Sequence, residues 1–400
     1  MHLVALDCFA ALAMTACMGY IGPMPICPVQ LTKDLIACPS VTPRDEGAQV
    51  LLGRHLRDMG FACHPMAFGE VPNLFARLGS AGPHLCYAGH TDVVPPGPLD
   101  AWTSPPFTPT VRDGVLYGRG ASDMKGSVAC FTAAVSRYLD AHGPPPGSIS
   151  LLITGDEEGP AVDGTAKVLE WAEREGHLPD VALVGEPTNP DSLGERIKIG
   201  RRGSLTGRIT VRGRQGHAAY PARCDNPVPR LVKLLAALTA EPLDDGNAFF
   251  DPSTLQIVRV HADAGAENTV PGMAQATFNS RFCSDWSGES LAAHMRERLD
   301  ATGVDYEIKF EHGSEVFLTD PGPWPDLVAS AVEDATGRVP ARTTDGGTSD
   351  AKFFHRHCPV VECGGVNATI HQVDECASLD DLEGLTRIYL RVLERYFGAV

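Results

Sequence analysis

Four short apolar runs constrain this chain most: His84 to Ala88, Ile149 to Thr154, Val181 to Val184 and Pro359 to Cys363. Each stops at a glycine or a polar cluster, and none is long enough for a helix packed on a core. Continuous apolar character, without alternation, is the mark of a strand covered on both faces. Between the runs lie helix-length patterns, Gly126 to Leu139 and Thr165 to Arg174. Buried strands alternating with helices predict an α/β fold whose sheet is covered on both faces. Such a sheet collects the carboxyl ends of its strands along one edge, and ligands bind there. Gln30 to Ile36 and Gly47 to Met59 also read as helices, and Ser378-x-x-Asp381 reads as the capping box of a helix running to about Tyr396.

The middle of the chain has a different pattern. Leu205, Gly207, Ile209 and Val211 alternate with more polar residues, as in a half-buried strand. A helix pattern follows at Asn226 to Thr239, strands at Thr254 to His261 and Ala274 to Phe282, a helix at Ser290 to Ala301, and a strand at Tyr306 to Phe310. The order βαββαβ is the ferredoxin-like split unit. The expected organisation is therefore an inserted lid or dimerisation domain at 203–316 within an α/β catalytic domain made of 25–202 and 317–400. A chain of 400 residues is comfortable with two cores. Residues 1–24 are expected to be an extension outside the fold. No Lys or Arg precedes Lys33, so the basic start of a signal peptide is missing, and Met14-Thr15-Ala16-Cys17 matches a lipoprotein box only loosely.

Bulk composition narrows the partners. Hydrophobic residues make up 43% of the chain and the formal net charge is -17, so nucleic acid and anionic membrane are disfavoured. An anionic substrate would have to be captured by a local cationic cluster. The 12 cysteines include no Cys-x-x-Cys pair, which reads as reduced thiols in a cytoplasmic protein. No stretch after the N-terminal extension is long and apolar enough to span a bilayer.

Acids and imidazoles recur where the runs end. His90-Thr91-Asp92 follows the first, Asp156-Glu157-Glu158 the second and Glu186 the third; Asp123 precedes the helix beginning near Gly126, and His371 lies in the loop after Cys363. Taken singly, each is an ordinary loop, cap or core residue. Together, on one sheet edge, they form an inventory for two metals, which need a bridging carboxylate and terminal ligands on each side. His90, His371, Glu158 and Glu186 suit the terminal roles and Asp123 the bridge. Asp92, two residues after His90, is placed to orient that imidazole. Glu157 is left as a free carboxylate beside the site.

Gly89-His90-Thr91-Asp92-Val93-Val94-Pro95, Gly118-Arg119-Gly120-Ala121-Ser122-Asp123-Met124-Lys125-Gly126, Asp156-Glu157-Glu158, Gly185-Glu186-Pro187-Thr188 and the late His371 resemble the signature blocks of the M20 metallopeptidase clan. Arg201-Arg202-Gly203-Ser204, Gly216-His217-Ala218-Ala219-Tyr220-Pro221 and Gly346-Gly347-Thr348-Ser349-Asp350 are similar to its desuccinylase family, which acts on N-succinyl-LL-2,6-diaminopimelate. The acetylornithine deacetylases tend to carry a His-Lys-Gly type sequence at the Arg-Arg-Gly-Ser position. The resemblance runs over roughly residues 25 to 398.

It implies a zinc-peptidase-like catalytic domain with an inserted lid, a homodimer, and amide hydrolysis with two Zn2+ per subunit, for which Co2+ can substitute. His90 and Glu186 would hold one ion, Glu158 and His371 the other, with Asp123 bridging. Glu157 would be the general acid/base. His217 would reach the partner subunit's site and stabilise the oxyanion. Arg201, Ser204, Tyr220, Asn268, Arg281, Gly347 and Thr348 match positions that contact the carboxylates of a small anionic substrate. One departure is Glu267, which precedes Asn268 where the family often has a second asparagine. The alternatives are another amidase of the clan, such as an acetylornithine deacetylase or a dipeptidase, a binding protein that retains the metal site without chemistry, and a structural partner whose insert serves only assembly.

Overall fold

The computed structural model describes residues 25–399, so the expected N-terminal extension lies outside the described residues. Its larger sheet has eight strands in the order Ala62–Phe68, Val71–Leu78, Ser148–Thr154, His84–His90, Val181–Val184, Val360–Glu362, Arg196–Lys198, Ala341–Thr343. The four expected strands are its centre, and they run parallel to one another.

Alternate side chains of these strands enter two different cores, which is why the runs are apolar throughout. In His84–His90, Leu85 and Tyr87 join one cluster with helices Pro28–Ile36, Lys125–His142, Pro323–Thr336 and Leu379–Tyr396. Cys86 and Ala88 join the other with helices Thr165–Arg174 and Ala351–Phe354. All seven residues of Ser148–Thr154 are buried. Ser378 Oγ accepts the Asp381 N–H at 3.3 Å, capping the last helix as expected.

The sheet is mixed rather than purely parallel. The hairpin Ala62–Phe68 and Val71–Leu78 adds an antiparallel edge, and Val360–Glu362 meets Arg196–Lys198 antiparallel. The first of these strands contains His64 and Pro65 and is half exposed, so its pattern carries little burial signal. Arg196–Lys198 and Ala341–Thr343 are only three residues each, too short to show a period.

The smaller sheet is antiparallel, in the order Thr254–His261, Met273–Phe282, Gly203–Arg212, Glu307–Ser314. With helices Val228–Thr239 and Gly288–Asp300 it is the expected βαββαβ unit around a core of its own, including Leu205, Ile209, Val211, Leu231, Leu234, Phe278 and Met295. Gly207 is required there, because an added Cβ would lie 2.1 Å from the Phe278 ring. The chain crosses between the two sheets on a paired ribbon, Gly200–Arg201 against Phe317–Leu318. A second tie is the Thr344 hydroxyl, which donates to Phe249 O at 2.6 Å.

Among the described residues every cysteine is a free thiol. No helix among them is long and apolar enough to cross a membrane.

Candidate metal centre

Strand register brings the site together. His90 pairs with Thr154, Ala88 with Val184, and Glu362 with Val184, so the loops that follow leave the sheet side by side. Those loops carry Glu157, Glu158 and Glu186. Asp123 comes from the turn before Lys125–His142, and His371, at φ 61°, from the loop before Cys376–Ser378.

Asp123 lies between two imidazoles. Its Oδ1 is 3.3 Å from His90 Nε2 and its Oδ2 is 3.4 Å from His371 Nε2. Around His90 Nε2 stand Glu186 Oε1 at 3.6 Å and Glu157 Oε2 at 3.9 Å. Glu158 Oε1 is 3.0 Å from His371 Nε2. Among the described residues three groups can hold a cation: His90, Asp123 and Glu186; Asp123, Glu158 and His371; and His90, Glu157 and Glu158. Within each group the ligand atoms lie inside 4.8 Å of one another, which suits ions bound at about 2 Å. His90 Nε2 and Asp123 Oδ1 are buried without a hydrogen-bond partner, an arrangement that a cation would satisfy.

The electrostatics point the same way. Burial pushes the Glu157 carboxyl up to about 8, with Asp350, Glu158 and Asp123 adding to the rise and His90 opposing it. Burial, then Glu157 and Asp123, hold Glu186 well above the usual carboxylate range. His371 is raised to about 10 by Asp123 and Glu158. Burial alone would lower His90, but Asp123, Asp92, Glu157 and Glu186 outweigh it and hold the imidazole well above its ordinary value. Asp123, although buried, is held well below the usual range by His371 and His90. Without cations the pocket retains protons; ligands that bind cations release them.

The expected link from Asp92 to His90 runs through the main chain. His90 Nδ1 is 2.8 Å from Asp92 O and 3.6 Å from its Oδ1. The Asp92 carboxylate instead accepts the Glu158 N–H at 3.1 Å, so one residue steadies two others of the cluster.

The remaining expected residues fall in two places. Arg201 is buried and donates from Nε to Glu362 at 2.9 Å and from a terminal nitrogen to Gly347 O at 2.8 Å. Gly347 and Thr348 are exposed on that loop, while Ser204 is buried opposite Arg281 in the smaller sheet. Among the described residues Arg281 makes no ion pair; burial, then the neighbouring Arg202, lowers its pKa. His217, Tyr220 and Asn268 form an exposed group on the insert. The Ala218 N–H donates to Asn268 O at 2.8 Å, and the rings of His217 and Tyr220 lie 5.6 Å apart edge to face. Glu267 beside them is exposed.

Sequence reasoning missed Glu362 and Glu375, which hold this scaffold in place, and quoted Asp156 without giving it a role. Glu362 pairs with Arg201 and also accepts from the Ser349 hydroxyl. Glu375 pairs with the buried Arg119 at 2.6 Å. Asp156 accepts the Val162 and Asp163 N–H groups at 2.8 and 2.9 Å, shaping the loop beyond Glu158. Arg119 stands inside a recognised block, but nothing local to Glu362 or Glu375 marks either one.

Known proteins share this architecture. The chain is 53% identical over 382 residues to the succinyl-diaminopimelate desuccinylase of Methylorubrum populi, covering 93% of this chain and 99% of that protein. A metallo-carboxypeptidase of the M20 family from Sulfolobus solfataricus superposes with a TM-score of 0.74 at 18% identity, covering 92% of this chain and 99% of that one. A dinuclear metal-binding M20 peptidase from Bacillus subtilis superposes with a TM-score of 0.71 at 15% identity, covering 93% and 98%. The family model for peptidase family M20/M25/M40 matches residues 86–395, a span holding all five candidate ligand positions and the whole insert, so this chain belongs to that family.

Proposed function

We propose that the chain hydrolyses N-succinyl-LL-2,6-diaminopimelate to succinate and LL-2,6-diaminopimelate, a step of diaminopimelate and lysine biosynthesis, as a cytoplasmic homodimer with two zinc ions per subunit, for which cobalt can substitute. The geometry that carries the reaction is Asp123, with one carboxylate oxygen facing each of two imidazoles. The substrate rests on the 53% identity to a desuccinylase across nearly the whole chain.

In this reading His90 and Glu186 would hold one ion and Glu158 and His371 the other, with Asp123 as the carboxylate they would share. When bound, the pair supplies Lewis acidity at the amide carbonyl and acidifies water. Glu157 carries the proton: buried and near His90, it takes one from the attacking water and returns it to the amide nitrogen, which leaves poorly unless protonated. Arg281, with no ion pair among the described residues, suits a forked hydrogen bond to a substrate carboxylate. Arg201, tied to Glu362 and Gly347, fixes the loop that presents Gly347 and Thr348 while adding positive charge. Ser204, Tyr220 and Asn268 complete the substrate contacts.

The contacts of His217 lie within the insert, and its role is to donate to the oxyanion in the other subunit. Dimer formation is supported by the outer strand Thr254–His261, whose free edge exposes Ile257, Val258 and Val260.

The test is hydrolysis of N-succinyl-LL-2,6-diaminopimelate by zinc-loaded protein, with N-acetylornithine alongside. Chelator-sensitive turnover of the succinyl compound alone is expected. Turnover of the acetyl compound alone, or of neither, would overturn the substrate assignment.

A further inference from the structure

Glu375 is fully buried and four residues beyond His371. Its carboxylate is surrounded by donors from a single turn. Oε1 accepts the N–H groups of Ser122 and Asp123, each at 2.9 Å. Oε2 accepts the Gly120 N–H at 3.0 Å and the Arg119 guanidinium at 2.6 Å. The main-chain carbonyl of Glu375 accepts the Gly118 N–H at 2.9 Å. The turn thus closes around one anion with three backbone donors from four residues, as an anion-binding nest does. A buried ion pair with Arg119 would need one carboxylate oxygen; the three main-chain donors go beyond that pairing.

What these bonds join matters. Asp123 ends the turn that Glu375 holds, and His371 belongs to the loop that carries Glu375. A second contact couples the same two segments, since the Ser122 hydroxyl donates to Val366 O at 2.5 Å. The geometry points to Glu375 as a positioning residue that locks the Asp123 turn to the His371 loop, so that both Asp123 oxygens stay aimed at the two cation positions. This rests on the dinuclear reading given above. Glu375 touches neither substrate nor cation in this role; it acts through Asp123, as outer partners of metal ligands do.

The experiment compares wild type, Glu375→Gln and Glu375→Asp as full chains. Each is stripped of metal and titrated with Zn2+ by calorimetry, and the thermal midpoint is recorded before and after loading. Wild type takes two ions. In Glu375→Gln the second ion binds about 10- to 100-fold more weakly, the zinc-induced rise in midpoint shrinks, and kcat falls while KM holds. Glu375→Asp keeps the charge but withdraws it by one methylene, and falls between the two. A merely structural role would lower the metal-free midpoint and leave both zinc affinities and the zinc-induced rise at wild-type values; that result overturns the proposal. If Glu375→Gln does not fold, Glu375→Asp decides, since wild-type affinity for the second ion in that variant has the same consequence. Fewer than two ions in the wild type would instead sink the dinuclear reading itself.

Discussion

Asp123, Glu157, Glu158 and Glu186 converge on His90 and His371, and side chains of one type separate into different roles by their surroundings. Asp123 meets both imidazoles and is held ionised; Glu157 meets one at 3.9 Å, is buried, and is pushed to about 8. That value belongs to the metal-free pocket; in the proposed reaction it is the place of Glu157 beside His90 that suits it to carry a proton. Glu157→Gln should therefore lower kcat by about 10²- to 10⁴-fold while zinc analysis still finds two ions per chain. Loss of an ion with this substitution would reassign Glu157 as a ligand. His90, Asp123, Glu157, Glu158 and Glu186 were legible because each follows a recognisable apolar run or stands in a glycine-flanked block, whereas His371, well past Cys363, has no such local mark. The roles of Arg201 and Glu375 were not legible, since each depends on a partner far away in sequence, 161 residues for Arg201 and Glu362.

Strand His84–His90 does two jobs: its last residue enters the candidate metal site, and its first anchors the strand. His84 is buried, with Nε2 2.8 Å from the Ser150 hydroxyl and Nδ1 3.2 Å from Leu178 O. Burial, aided by Arg77, lowers its pKa to about 4. The unfolded chain therefore binds a proton at His84 from about pH 6.5 downward, while the folded chain does not until about 4. Stability is undiminished above pH 6.5 and is lost as pH falls toward 4, by up to about 1.4 kcal/mol per pH unit from this one group. Denaturant unfolding across that range should show the slope, and His84→Gln should flatten it. An unchanged slope would place the proton uptake elsewhere. The strand itself was legible from its apolar run, because burial on both faces leaves no polar alternation. The hairpin at Ala62–Phe68 was not, because an edge strand is half solvated.

For the whole molecule, a net charge of -17 repels an anion at long range, so the proposed substrate would depend on local cations, the role proposed for Arg281. Assembly then matters, since the contacts of His217 lie within the exposed face of the insert. Val258 and Val260 project from the outer strand at 62% and 58% exposure. In the proposed dimer, replacing both with Lys should shift sedimentation to monomer and reduce turnover by about 10²-fold or more, as loss of one oxyanion donor does. A variant that remains dimeric would place the interface elsewhere. A monomer with full activity would remove His217 from the reaction.

The buried strands, the main helices, the insert's βαββαβ order and the acids and imidazoles of the candidate metal site could be read from the chain alone. These follow from side-chain periodicity and from short blocks around glycine, which are properties of neighbours along the chain. Tertiary structure alone decided the mixed strand order, the closure of Arg201 onto Glu362, and the turn of Asp123 around Glu375, 252 residues away. Those pairings arise when separate segments pack and a buried polar group must find its partner; no local pattern records which distant residue it meets.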